Sequence, residues 1–184
     1  MPEHAPTIPE GLDLVQARDG VIIRRTWFSW TVIPLIFFAV LWDGFLVFWY
    51  TMALKHGQHG APLMMLLFPL LHVAVGLGLT YFIVCSFVNK TDVIINFSGV
   101  EVSIYPMPWP GKKRVAASEI TDVMVRQRVS NNSDNVNYNN RRVSYAVMYA
   151  GASRKEQKLI SFSQSDQADY VANAIRMALQ LKDT

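Results

Sequence analysis

The sequence predicts a membrane α-helical hairpin joined to a mainly antiparallel β domain that a C-terminal α-helix caps. Three observations predict it. Phe28–Ala53 is 26 residues with one charged side chain, Asp43. Ala61–Val88 is 28 residues with no Asp, Glu, Lys or Arg; it holds His72 and the sole cysteine, Cys85. From Thr91 onward the apolar period shortens to two, and strand-like runs succeed one another until a helical stripe closes the chain. A helix needs roughly 20 apolar residues to cross a hydrocarbon core of about 30 Å, so both long stretches reach across one.

In chain order, residues 1–11 are polar and proline-bearing. "LDLVQARDGVIIRR" then reads as two strands about an Asp19-Gly20 turn, a strong hairpin signal. A lone hairpin is marginal in water, so this one must pack on the C-terminal domain or on a membrane surface. The first span, about 28–53, has Trp27 and Trp30 at one end and Trp49 and Tyr50 at the other, as interfacial rings prefer. "KHGQHGAP" (Lys55–Pro62) is a turn, and the second span covers about 62–88. A signal peptide has a 7–15-residue apolar core after a short basic start. Here a polar stretch precedes a longer apolar run and a second run follows, so both spans read as retained helices.

Arg18, Arg24 and Arg25 flank the first span, and Lys90, Lys112, Lys113 and Arg114 follow the second. The turn has only Lys55. That bias places both termini in the cytoplasm of a bacterial inner-membrane protein. Beyond the spans, "TDVIINF" and "VEVSIY" flank a Ser98-Gly99 turn. "KRVA", "ITDVMVRQRV", "RRVSYAVMYA" and "QKLISF" are further strands, with an Asn-rich loop, "SNNSDNVNYNN", between the second and third of these. Ser163 and Asp166 resemble a capping box. Val171, Ile175, Ala178 and Leu179 line one face of a closing helix at about 165–182. Three regions result: 1–26 with a β-hairpin, 27–89 with the helical hairpin, and 90–184 with the β domain.

This order carries a resemblance. Two spanning helices, then "SGVEVSIYPMPWPG" and "ASEITDV" within a strand meander, then a helix after "LISFSQSD", resemble the bacterial pleckstrin-homology-like membrane proteins. The resemblance covers roughly residues 28–182. It implies a cytoplasmic PH-like sheet sandwich or barrel, capped at its open end by the C-terminal helix, with a non-catalytic role. The N-terminal hairpin and the Asn-rich loop depart from that pattern.

Composition narrows function further. The net charge is +3 and charged residues make up 17% of the chain. The cations form no stripe interleaved with exposed aromatics, so nucleic acid is not an expected partner. One cysteine excludes an internal disulfide. No G-x-S-x-G or phosphate-loop motif occurs, and no cofactor is expected. His56 and His59 lie three apart on a turn; two histidines fall short of a four-ligand structural zinc site, so no metal is expected. Asp92, Glu101, Glu119 and Asp122 are scattered along strands with no visible pairing. The chain therefore reads as a non-enzyme.

The first site candidate is Asp43 with His72. A charged Asp at mid-helix costs about 2.5–3.5 kcal/mol on insertion scales, so such a group finds a partner or a polar cavity. Asp43 lies eleven residues before Leu54 and His72 eleven after Ala61. At about 1.5 Å per residue both sit roughly 16 Å from the outer helix ends, at equal depth in an antiparallel hairpin. Ala39, one turn before Asp43, and Gly44 and Gly76, with Thr80 beyond, are small enough to let the helices approach. The spacing predicts an intramembrane Asp43–His72 pair that pins helix register. A proton-relay or transport role and contact with a further subunit are the alternatives. The second candidate is "PMPWPGKKR" (Pro106–Arg114). Trp109 beside Lys112, Lys113 and Arg114 suits anionic lipid or a partner protein, although a stiff, proline-rich solvated loop is the simpler account.

The functional expectation is a membrane anchor whose cytoplasmic domain binds protein partners or the membrane surface. The alternative is an accessory subunit, homo-oligomeric or within a larger membrane complex such as an energy-converting or photosynthetic assembly. The aromatic-rich first span suits it.

Overall fold

The computed structural model describes residues 7–17, 19–56, 67, 69–130, 142–151 and 155–181. The turn at 57–66, with His59, and the Asn-rich stretch at 131–141 lie outside the described residues, as does His4. The chain forms two compact units: Met1–Thr26 together with Lys90–Thr184, and Trp27–Asn89.

The first unit is antiparallel β with one helix. Its strands are β1 (Leu12–Ala17), β2 (Gly20–Thr26), β3 (Lys90–Asn96), β4 (Gly99–Tyr105), β5 (Lys113–Ala116), β6 (Asp122–Ser130), β7 (Arg142–Ala150) and β8 (Glu156–Phe162). A 3₁₀ turn, Ala117–Glu119, links β5 to β6. Strands β1 to β5 form one sheet in chain order, and β6 to β8 form another. No ladder joins the sheets among the described strands, so no barrel closes: β5 has four residues and pairs only with β4, and β6 pairs only with β7.

The N-terminal hairpin belongs to this sheet. Thr26 pairs with Lys90 and Ile23 with Val93, so β2 and β3 are hydrogen-bonded neighbours although 63 residues lie between them in sequence. The apolar helices thus occupy the chain position of a hairpin turn. Of the two destinations open to the hairpin, the β domain is the one observed. The period-2 pattern explains why: Ile23, Val93 and Val102 stand in one cross-strand row and share one face. That face joins Val123, Val147, Tyr149, Leu159 and Phe162 of the second sheet in a single core.

The helix α3 (Ser165–Ala178) closes the core with Ala168, Val171, Ala172 and Ile175, each completely buried. It touches β3 of the larger sheet and all three strands of the smaller one. Its N-cap is Gln164, without a side-chain cap bond, in place of the Ser163 cap the sequence suggests, and it ends four residues before 182. At the β3–β4 turn, Gly99 has φ +146°, and a Cβ there would collide with the Val115 carbonyl, so the turn demands glycine.

The second unit is a pair of helices, α1 (Val32–His56) and α2 (Leu70–Val88). Pro34 falls in the first turn of α1, where the missing N–H costs nothing. Pro69 is the N-cap of α2. Both helices are long and apolar enough to cross a membrane. Their contacts run antiparallel: Phe28 meets Phe87 where the helices adjoin β2 and β3 in the chain, and Trp42 meets His72 further along. In α1 the buried residues are Val32, Ala39, Leu46 and Ala53. Their seven-residue interval is a coiled-coil seam, which keeps one face on the partner helix while the rest looks outward. Phe37, Leu41, Phe45, Val47 and Phe48 lie on that outward surface, each more than half exposed.

Candidate functional site

Four polar or amphipathic residues of the helical unit, Asp43, Thr80, Trp42 and His72, meet between the two helices. Asp43 Oδ2 accepts a hydrogen bond from Thr80 Oγ1 at 3.0 Å. Its Oδ1 lies so close to Gly76 that a Cβ on that residue would stand 2.5 Å away. Trp42 donates from Nε1 to the His72 backbone carbonyl at 3.1 Å and stacks on the His72 ring, with centroids 5.5 Å apart. Thus α2 presents Gly76 and Thr80 to Asp43, and His72 to Trp42. Helical side chains lean toward their own N-terminus. In antiparallel helices, residues at equal depth therefore lean in opposite directions. Asp43 reaches toward higher numbers on α2, to Gly76 and Thr80.

Among the small residues, Ala39 is buried on the seam and Gly76 is the point of closest approach. Gly44 faces the other way: nothing lies within 4 Å of the place its Cβ would take, and the same holds for Gly78. Neither supports the packing of α1 on α2.

In the β unit, the loop of Pro106 to Lys112 leaves β4 at a defined place. Tyr105 pairs with Lys90, and Lys90 with Thr26. The loop therefore emerges at the end of the sheet where the chain departs for α1 and returns from α2. Trp109 is half-buried there and Lys112 is exposed. The other two cations are engaged. Lys113 donates from Nζ to the Lys158 carbonyl at 2.9 Å and lies 5.2 Å from the Tyr149 ring centroid. Arg114 pairs with Glu101 at 3.2 Å, with its side chain 81% exposed. An exposed pair of this kind contributes little to stability.

The same end holds a cluster that the sequence does not disclose. Arg24 clamps Asp92 with two bonds of 2.9 Å, Nε to Oδ1 and Nη2 to Oδ2. Tyr105 donates its hydroxyl to Asp92 Oδ2 at 2.7 Å, and the guanidinium of Arg24 lies 6.0 Å from the Tyr105 ring centroid. Asp92 is 5% exposed. Burial pushes its carboxyl upward, but the hydrogen bonds of Arg24 and Tyr105 and the charge of Arg24 outweigh it, so Asp92 titrates below its ordinary value. The hydrogen bond and charge of Asp92 hold Arg24 above its ordinary value. Burial, then the Asp92 bond, raises Tyr105. Arg25 projects to the other face, where burial lowers its pKa; it donates to the Ser161 carbonyl at 3.3 Å and lies 5.6 Å from the Phe162 ring centroid.

Arg24 and Asp92 are 68 positions apart. Only the pairing of β2 with β3 brings them opposite each other. Among the described residues no group of three or more His, Cys, Asp or Glu is placed to hold a metal ion. The chain matches no family model and no curated protein. The fold and sites define a two-sheet β unit closed by a helix, with two long apolar helices inserted between neighbouring strands.

Proposed function

We propose that the protein is a bacterial inner-membrane anchor whose β unit is a cytoplasmic, PH-like interaction module. One observation carries the membrane assignment. In each candidate span only 17% of the most apolar window is buried. A helix at the core of a water-soluble protein hides its apolar surface. These helices turn theirs outward, with Phe37 69%, Leu41 74% and Val47 65% exposed. Hydrocarbon is the solvent that such a surface suits.

The polar seam fits the same reading. Asp43, Thr80, Trp42 and His72 interlock two helices that otherwise have only dispersion to hold their register, with Asp43 and His72 as its ionisable members. The two sheets and their closing helix support the PH-like assignment. The engaged state of Arg24, Arg25, Lys113 and Arg114 favours protein partners as the principal ligand of the β unit. Trp109 and Lys112, at the insertion end, supply the contact with the lipid surface.

The test is topology. In a Cys85→Ala background, Gln58→Cys reports on the turn between the spans and Ser98→Cys on the β unit. With a membrane-impermeant maleimide on intact spheroplasts, position 58 labels and position 98 labels only after lysis. Labelling at position 98 before lysis, or release of the chain by alkaline carbonate, overturns the proposal.

A second reading rests on Gly44 and Gly78. At both, the place a Cβ would take is open space on the outward helix surface, room that a neighbouring helix of a larger complex would fill. Purification in mild detergent separates the two: stoichiometric membrane partners favour the subunit reading, and a lone chain favours the anchor.

A further inference from the structure

A sheet has edges, and an open edge invites another chain to pair with it. Here three of the four edges are blunted. Strand β5 is four residues long and carries Lys113 and Arg114. On β6, Arg176 forks onto the Val123 carbonyl, Nε at 2.9 Å and Nη2 at 2.5 Å. On β8, the Lys158 and Ser161 carbonyls accept from Lys113 and Arg25.

The fourth edge, β1, is different. It is six residues long, without proline or lysine, and its one charge is Asp13. Among the described residues no side chain donates to its backbone. The Leu12 N–H is taken by the Pro9 carbonyl at 3.2 Å; further along β1, alternate N–H and C=O groups point away from β2 and stand ready for a ladder.

A groove of about 890 Å³ opens beside this edge, within the size range of ligand-binding clefts. Leu14 and Val21 of the hairpin line one wall, and Tyr170, Ala174 and Met177 of α3 the other. Leu14 is 38% and Met177 66% exposed. The rim is acidic. Asp166 lines the groove, Glu10 and Asp169 are exposed on the segments beside it, and Asp13 is exposed on the opposite face of β1, level with Arg24. The groove's one cation is Arg176, already committed to Val123 and to Asn173 Oδ1. On a chain of net charge +3 this is a local reversal of sign.

We propose that β1 and the groove form a docking site for an extended segment of a partner protein, alternately basic and apolar. The segment adds a strand to β1, sets its apolar side chains on Leu14, Tyr170, Ala174 and Met177, and turns its alternate cations to the opposite face, where Asp13 stands. A run of about six residues spans β1. The inference rests on the reading of the β unit as an interaction module and names the chemistry of its partner.

The probe is a fluorescent peptide, Lys-Val-Lys-Leu-Lys-Val, titrated by anisotropy into the full chain in detergent micelles. Saturable binding is expected, with slower amide exchange in β1. Met177→Arg, which fills the groove and reverses its charge, weakens binding about tenfold or more. Val129→Arg, on β6, leaves it unchanged. A peptide N-methylated at alternate amides, or with Glu for Lys, binds at least about tenfold more weakly. Equal affinity of the N-methylated peptide, or indifference to Met177→Arg, overturns the proposal. So does a dimer of the chain alone that Met177→Arg dissociates, since the occupant is then a second copy. Membrane extraction is scored separately: a chain that stays in the membrane but binds no peptide defeats only this inference, and one that leaves the membrane defeats only the anchor.

Discussion

The two units of this chain sort the same residue types in opposite directions. In the β unit Ile23, Val93, Val147 and Ile175 are sealed inside, and the sheet's outward face carries the clamp of Arg24 on Asp92. In the helical unit the large apolar side chains look outward, and Asp43, Thr80 and His72 gather at the seam. On the proposed membrane reading, the reversal is what a change of solvent imposes. Water drives apolar surface inward, whereas hydrocarbon gives it no preference and penalises exposed polar groups. Packing in the second unit therefore depends on small residues and a few hydrogen bonds, not on burial.

The largest effect expected from a single change lies in the β core. Ile23→Ala removes a 1% exposed side chain shared by the hairpin and the domain, and destabilises the β unit by about 2–5 kcal/mol in thermal melts. Leu41→Ala, at 74% exposure, leaves the melting of the micelle-bound protein within about 0.5 kcal/mol of the parent. Similar losses from both changes would abolish the contrast between the units.

Next in size is Asp92. Replacement by alanine strands Arg24 and Tyr105 at a cost of about 2–3 kcal/mol. Because the folded carboxyl titrates below its ordinary value, its stabilisation is complete above the unfolded pKa. It is lost as pH falls through the folded value. The β unit of the parent protein therefore loses stability below about pH 4, and Asp92→Asn flattens that part of the profile. An unchanged profile in the variant would assign the acid sensitivity to other carboxylates.

Gly76→Val sharpens the account of the seam. The new side chain meets Asp43 Oδ1 and forces the helices apart, at about 1–3 kcal/mol. Gly78→Val, in open space, is the control, and a matching loss there would mean that a further helix covers it. Smallest is Thr80→Val, which deletes one interhelical hydrogen bond worth about 0.6 kcal/mol in comparable helices. Melts followed by circular dichroism in one detergent rank all these variants on a single scale.

Much of the fold was legible along the chain. Two apolar runs long enough to span, the Asp19-Gly20 and Ser98-Gly99 turns, and the stripe of Val171 and Ile175 each carry their own signal, because period and turn chemistry are local. The sites were less legible. Counting residues from a turn placed Asp43 and His72 at one depth, but depth along a helix axis does not include the lean of the side chains. That lean decides that Gly76 and Thr80 face the Asp43 carboxylate. Lys113 looks like a surface cation in "PGKKR", yet it reaches back to the Lys158 carbonyl across the sheets.

The sequence by itself therefore determined which segments are apolar throughout, which alternate and where the chain turns, since those depend on neighbours a few residues away. Only the tertiary structure decided that the N-terminal hairpin joins the domain beyond the helices. The same pairing of β2 with β3 set Arg24 on Asp92 and left β1 as the open edge. Strand pairing across 63 intervening residues is governed by long-range register, and no local pattern encodes which edge meets which.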